Sequence, residues 1–304
     1  MNNHSVDTKR LRTFLELSRS GSMREVADLL GTNTSTVSQQ MAVLAREAGA
    51  VLLEPSGRGV RLTPAGRRLA AHAVTILTAV DAARADLQPG AEPAGTVRVA
   101  GFATAIRRSL MPIIQATAAR HPSLQVTVHE HEPAEAIQML LADEVDLALT
   151  YDYSLAALAA DPRLDLTPLW STPWGLGVPL DAAGHGRGRG SSPAVFAAYR
   201  ERDWIGNSRN RADADVLRII GSLAGFEPRI RHEADSLDLV EDLIVADMGI
   251  GLLPGDRKPG PGVAILSLNQ PEVVLRAYAQ TRKGRSTWPP LRYVLDRLIE
   301  SSEG

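Results

Sequence analysis

Residues 21–44, GSMREVADLLGTNTSTVSQQMAVL, restrict this chain more than any other stretch. They hold two apolar stripes of helical period, each too short to persist alone, with only a turn between them. Ser22 and Glu25 have capping-box spacing, so a helix is expected to open there. Met23, Val26, Ala27 and Leu30 follow the i, i+3, i+4, i+7 rule and predict one buried face. Gly31 permits a tight turn. Asn33 can cap the next helix, whose apolar stripe is Val37, Met41, Leu44 and Ala48. Two short helices joined by such a turn have the geometry of a helix-turn-helix.

The rest of that second helix is unusual for a surface. Thr34, Ser35, Thr36, Ser38, Gln39 and Gln40 lie off the apolar stripe and carry no charge. Hydroxyl and amide groups of this kind can pair with base edges in a major groove, whereas an ordinary solvated face is richer in Glu and Lys. With Asn33 they form the candidate base-reading set. Residues 51–66, VLLEPSGRGVRLTPAG, then read as two short strands around Ser-Gly-Arg-Gly. This is a wing with Arg58 at its tip and Arg61 on its side, both candidates for gripping backbone phosphate. Charge follows the same division. Residues 1–70 hold ten Lys/Arg against six Asp/Glu, whereas the chain as a whole has a net charge of -2. A basic end on an acidic body suits one domain that faces phosphate and another that does not.

After Leu87 the pattern changes. QPGAEPAG (88–95) is a Pro/Gly linker without periodicity. From Thr96, short apolar runs alternate with helical patterns: strands at 96–101, 124–130, 145–151, 203–206, 228–234 and 249–254, with helices between them. Strands near 263–267 and 272–281 and a helix over 289–300 complete the series. This alternation predicts βαβ units on a mostly parallel sheet. The Gly-rich DAAGHGRGRGSSP (181–193) reads as a surface loop. At 304 residues there is room for two domains. The chain has no cysteine, which excludes disulfides and thiolate chemistry. No apolar run has the length of a membrane span, and the start MNNHSVDTKRLRTF has no signal-peptide core, so the cytoplasm is the expected compartment.

The layout resembles LysR-type transcriptional regulators. The matching residues are Leu11 and Phe14, Gly21-Ser22, Ala27, Leu30, Val37-Ser38, Leu44, Gly49 and Leu62-Thr63-Pro64-Ala65-Gly66, about 60 residues in close register. Ala45, Leu53 and Pro55 depart from the usual Glu, Phe and Arg, so the phosphate contact of that Arg is not carried over. The resemblance implies an α/β protein overall. Residues 1–63 form a winged helix-turn-helix and 64–88 a dimerising linker helix. Residues 89–95 form a hinge and 96–304 a two-lobed effector domain of the periplasmic-binding-protein (type 2) kind. Lobe one comprises 96–167 and 267–304, and lobe two 168–266. The linker helix supports this through Leu69, Ala73, Ile76, Val80, Ala83 and Leu87, a 4-3-4-3-4 seam of the coiled-coil type. The implied partners are double-stranded DNA with a partly palindromic site, a small-molecule effector, and further copies of the chain as dimer or tetramer. RNA polymerase is a candidate contact, and no membrane is.

In that fold the effector lies between the lobes, at strand C-termini and helix N-termini. Phe102, Thr104, Tyr151, Asn207, Ser208 and Ser236 are the candidate cleft residues by position. Enzyme signals are weak. His129 and His131 would share a strand face but have no third ligand nearby in sequence, and Glu130 and Glu132 form no evident acid/base pair. HGRGRG (185–190) lacks the strand-before, helix-after context of a phosphate loop. Trp170 and Trp174 read as core or lobe-crossover packing rather than as a substrate platform, with an aromatic cleft wall as the alternative. No catalytic residue, metal or cofactor is assigned. Two other classes stay open: a small-molecule binding protein without DNA function, and an α/β enzyme with a helical accessory domain.

Overall fold

A computed structural model of the chain describes residues 6–57, 59–87, 92–186 and 190–302. The head contains α1 (Thr8–Ser20), α2 (Met23–Leu29), α3 (Thr34–Ala48), the strands β1 (Leu53–Ser56) and β2 (Gly59–Leu62), and the long α4 (Pro64–Leu87). Each helix begins where a side chain can cap it. Asp7 accepts from Lys9 N, Ser22 from Glu25 N, and Asn33 from Thr36 N. Gly31 turns between α2 and α3 at φ +61°, a left-handed conformation that a side chain would oppose. Phe14, Leu17, Val37 and Leu44 close the core of the three helices, with Ala73, Val74 and Leu77 of α4 completing it. Leu30 departs from its expected place in the buried stripe. It is 45 % exposed, because α2 ends at Leu29 and the chain turns before Leu30 can reach the core. β1 and β2 pair antiparallel from Leu53↔Leu62 to Ser56↔Gly59, which makes the wing. Thr63 Oγ1 accepts from Gly66 N at 3.0 Å and opens α4. A Cβ on Gly66 would lie 2.1 Å from Leu52 O, so only glycine lets α4 start against the wing.

The body follows with β3 (Gly95–Gly101), α5 (Ala103–Ala105), a π-helical turn (Ile106–Leu110) and α6 (Met111–Arg120). Next come β4 (Leu124–Glu130), α7 (Pro133–Leu141), β5 (Leu147–Tyr153) and the 16-residue β6 (Leu164–Pro179). Then come α8 (Ser192–Ala198), β7 (Trp204–Gly206), α9 (Arg211–Leu223), β8 (Ile230–Glu233), α10 (Leu237–Val245) and β9 (Ile250–Pro254). The series ends with β10 (Val263–Ser267), β11 (Val274–Arg282) and α11 (Pro289–Glu300). Five strands in the order β4-β3-β5-β11-β6 form lobe one. The far end of β6, flanked by β10 and β9, continues through β7 and β8 into lobe two. Within each lobe the βαβ strands are parallel, as their alternation with helices predicts, and β11 and β10 run antiparallel. The sequence pattern shows neither the length of β6 nor α8. β6 pairs with β11 as far as Pro173 and with β9 from Trp174 onward. The exchange between lobes thus falls at Pro173–Trp174, six residues beyond the 167/168 boundary read from the sequence. Part of the 181–193 segment forms a short 3-10 turn over Ala182–Gly186, and residues 187–189 lie outside the described residues.

Head and body of the same chain meet at a seam of arginines around two buried carboxylates, Asp143 and Asp146. Arg19 of α1 donates through Nε and Nη2 to Asp143 Oδ2 at 3.1 and 2.8 Å, and Arg282 reaches Asp143 Oδ1 at 3.1 Å. Asp146 accepts from Arg98 Nε and Nη2, both at 3.0 Å, and from Arg285 Nη2 at 3.1 Å. Arg285 Nη1 in turn donates to Thr78 Oγ1 of α4 at 3.1 Å. Burial alone would raise the Asp146 carboxyl, but the hydrogen bonds and charge of Arg98 outweigh it and hold it below the usual carboxylate range.

Candidate nucleic-acid interface and interlobe cleft

On α3, Thr34, Ser35, Ser38 and Gln39 are exposed, as a base-reading face requires. Three of the other candidates already have local work. Asn33 Oδ1 accepts from Thr36 N at 2.8 Å, from Ser35 Oγ at 2.5 Å and from Thr36 Oγ1 at 2.9 Å, so the cap engages both hydroxyls. Gln40 is half-buried, and its Oε1 accepts from Thr13 Oγ1 of α1 at 2.7 Å, which locks α3 to α1. On the wing, Arg61 is exposed and lies 2.8 Å from Glu54 Oε1. Arg58 lies outside the described residues. An exposed pair of this kind contributes little, about 0–1 kcal/mol, so Arg61 remains available to phosphate.

The second site is a cavity of about 560 Å³ between the lobes. Phe102 and Thr104 line it from the β3–α5 junction, Tyr151 from β5, and Asn207 and Ser236 from lobe two. Ser208 corrects the sequence reading, since it is not among the lining residues. Its backbone N and Oγ both donate to Asp235, at 2.9 and 2.7 Å, which places it behind that carboxylate as a support. Asp152, next to Tyr151 on β5, does not line the cavity, because alternate residues of a strand face opposite ways. It pairs with Arg276 at 2.8 Å.

The aromatic wall is larger than sequence reasoning gives. Trp170 and Trp174, which read as packing, both line the cavity. Phe102 lies 4.7 Å from the Tyr151 ring and 6.3 Å from that of Trp170. Arg108 stands with its guanidinium 4.4 Å over Trp170 and reaches across to Asp256 of lobe two at 3.4 Å. The wall also holds six acids that sequence reasoning did not place there, of which Glu132 and Asp213 are the most deeply set. Glu132, the N-cap of α7, is buried and accepts from Tyr151 Oη at 3.0 Å. Its burial raises its pKa, and the Tyr151 hydrogen bond only partly offsets this. Asp213, in the first turn of α9, has an Oδ1 closed to solvent and without a hydrogen-bond partner. Burial pushes this carboxyl up to about 7, against the pull of nearby Tyr153 and with further help from the charges of Glu132 and Asp235. His129 and His131 join no group of three candidate metal ligands among the described residues, and His131 lies 3.2 Å from Glu135.

A winged helix-turn-helix joined by a long helix to a two-lobed α/β body with a central cleft is a distinctive combination. Residues 8–67 match the bacterial regulatory helix-turn-helix protein, lysR family, and residues 90–303 match the LysR substrate binding domain. The chain belongs to the LysR family of transcriptional regulators. It is 31% identical over 257 residues to the nitrogen assimilation regulatory protein nac of Klebsiella aerogenes, covering 82% of this chain and 78% of that protein. Among solved structures it is similar to a full-length OxyR variant from Pseudomonas aeruginosa, with TM-score 0.73, 19% identity, and 99% and 96% of the two chains covered. It is also similar to full-length CbnR complexed with its target DNA, with TM-score 0.51, 22% identity, and 97% and 99% covered. The fold and DNA-binding class of this regulator are therefore shown, and DNA, a small-molecule effector and copies of itself are the partners of a protein in this class. The family is one of regulators and not of enzymes. Among the described residues no helix is long and apolar enough to cross a membrane.

Proposed function

We propose that this regulator reads its operator with Thr34, Ser35, Ser38 and Gln39, grips phosphate with the wing at Arg61 and Arg58, and takes its effector in the interlobe cleft. The observation that carries the reading is the uncharged, exposed face of α3 on a helix whose remaining polar groups, Asn33, Thr36 and Gln40, hold it in place. Phe102, Thr104, Tyr151, Asn207 and Ser236 contact the effector. Partners pair along α4, where Ile76 and Leu87 are 43 % and 82 % exposed while Ala73, Val74 and Leu77 face the head core. Two reading heads then address two half-sites. The protein works as a regulator without catalytic turnover, in the cytoplasm where its DNA lies. Its domains divide near residues 63, 88 and 95.

The test is competition binding to a labelled fragment from upstream of the regulator's own coding sequence, with scrambled DNA as competitor. Gln39→Ala is expected to reduce the ratio of specific to non-specific affinity about tenfold or more, the value of one good base contact. Arg61→Ala is expected to weaken both classes alike and to flatten the salt dependence. Equal loss of specificity from both variants would refute this division of labour.

A further inference from the structure

The cleft has a charge character of its own. Its wall carries Glu130, Glu132 and Asp213, none of which has an ion-pair partner among the described residues. The other acids of the wall are already matched. Asp235 pairs with Arg209 at 2.9 Å, Asp238 with Arg257 at 2.5 Å, and Asp256 with Arg108 at 3.4 Å. On the basic side only Arg107 lines the cavity without an ion pair among the described residues. With Glu132 and Asp213 ionised, the uncompensated charge of the wall is negative.

Charge is joined by polar atoms that lack partners. Asp213 Oδ1, Thr172 Oγ1 and Trp174 Nε1 are closed to solvent and unpartnered, and all three residues line the cavity. The carboxylate oxygen can only accept when ionised, the hydroxyl can accept or donate, and the indole N–H donates. Thr172 is 5 % exposed. A buried acceptor without a partner costs about 1–3 kcal/mol. A ligand that brings N–H groups removes that cost at Asp213 and Thr172, and a neutral acceptor elsewhere on it would meet Trp174 Nε1, whereas a carboxylate adds its charge beside Glu132 and Asp213. The rings point the same way. Phe102, Tyr151, Trp170 and Trp174 form one side of the space, and ring faces attract cations. One of them already does so, since Arg108 sits over Trp170.

We propose that the effector carries a nitrogen cation, an ammonium or amidinium, that docks between the aromatic wall and the carboxylates of Glu132 and Asp213. This rests on the reading of the cleft as the effector site and assigns its ligand class. Protonation sets the affinity. The groups facing Asp213 are Tyr153, Asn207, Glu132 and Asp235, with Arg209 beyond on Asp235. The carboxyl is largely protonated below about 7 and must ionise to hold a cation. Cation binding therefore strengthens as pH rises through that value and releases a proton.

The experiment compares charge-matched probes on the full-length protein. The cations are n-hexylammonium, phenethylammonium and benzamidinium. The anions are hexanoate, 3-phenylpropionate and benzoate. Readouts are the thermal midpoint and quenching of the cleft tryptophans, each followed from pH 6 to pH 8. Saturable binding of at least one cation is expected, tighter at the higher pH. Glu132→Gln and Asp213→Asn should each lose about tenfold in affinity, and the pH dependence should vanish in Asp213→Asn. A gel shift on each variant confirms a folded, DNA-competent protein, and the pH series on the unaltered chain needs no variant. Cleft binding by the anions in preference to the cations would overturn the ligand class and leave the effector site standing. Silence from both sets would remove the class and the cleft reading together. Cation binding indifferent to pH and to both substitutions would also overturn the proposal.

Discussion

Arg19→Ala should loosen the head from the body without unfolding either. Its guanidinium places two N–H groups on one oxygen of Asp143, across 124 residues of sequence. Because both share one acceptor atom, they amount to about one charge-assisted contact, worth roughly 1.5–3 kcal/mol. The variant leaves Asp143 with Arg282, so no carboxylate is stranded and the lower figure applies. About 1.5 kcal/mol is a little more than tenfold in the ratio of docked to undocked heads. Trp170, Trp174 and Trp204 lie within the body, whereas Trp288 stacks on Arg285 beside α4, so in a Trp288→Phe background emission reports body unfolding. Far-ultraviolet circular dichroism also reports the head helices. In urea that background should show coincident transitions by the two probes, and Arg19→Ala should separate them, with helix lost first. Asp143→Asn keeps a residue type that tolerates the positive φ of 62° there, and it completes a double-mutant cycle with a coupling of about 1 kcal/mol. Coincident transitions in Arg19→Ala, with coupling under about 0.3 kcal/mol, would refute the seam as an energetic link.

Two further outcomes follow from the same contacts. Asp213 has a folded-state pKa near 7 against an unfolded value of 3.8, so the native state holds the extra proton between those limits. Stability should fall as pH rises from about 4 to about 7, and Asp213→Asn should flatten that slope in urea melts taken across the window. Ile76→Glu places a charge on the outward face of α4, and sedimentation should show the variant shifted toward monomer with its head still folded.

The reading head was legible because its signals are local. Caps, the Gly31 turn and the stripe Val37-Met41-Leu44 all lie within a few residues of what they determine. Leu30 misled for the opposite reason, since its burial depends on where the chain leaves α2 and not on period. Gln40 looks like its neighbour Gln39 in sequence, and only the packing of α1 beside α3 gives it Thr13 as a partner. The cleft was half legible. Residues at strand ends could be placed from βαβ order, but the pairing of Tyr151 with Glu132, and the approach of Asp213 to both, join separate elements. Nothing near Glu132 in sequence marks it as buried, and the twin tryptophans of 170–174 read as core or lobe-crossover packing because their spacing does not show which face of the strand meets a cavity.

That shared strand gives the cleft an uncommon mechanical position. The lobes are joined by β6 and by the segment from β10 to β11, and β6 changes neighbours at Pro173–Trp174. Trp174 N donates to Val273 O of the second connection at 2.7 Å, while Pro173 O accepts from Gly255 N of lobe two at 2.7 Å. The side chain of Trp174 is at the same time part of the cavity wall. Under the proposed effector reading, the strand crossover and the cavity wall meet in one residue, so a molecule resting against this indole would bear directly on the place where the two lobes join.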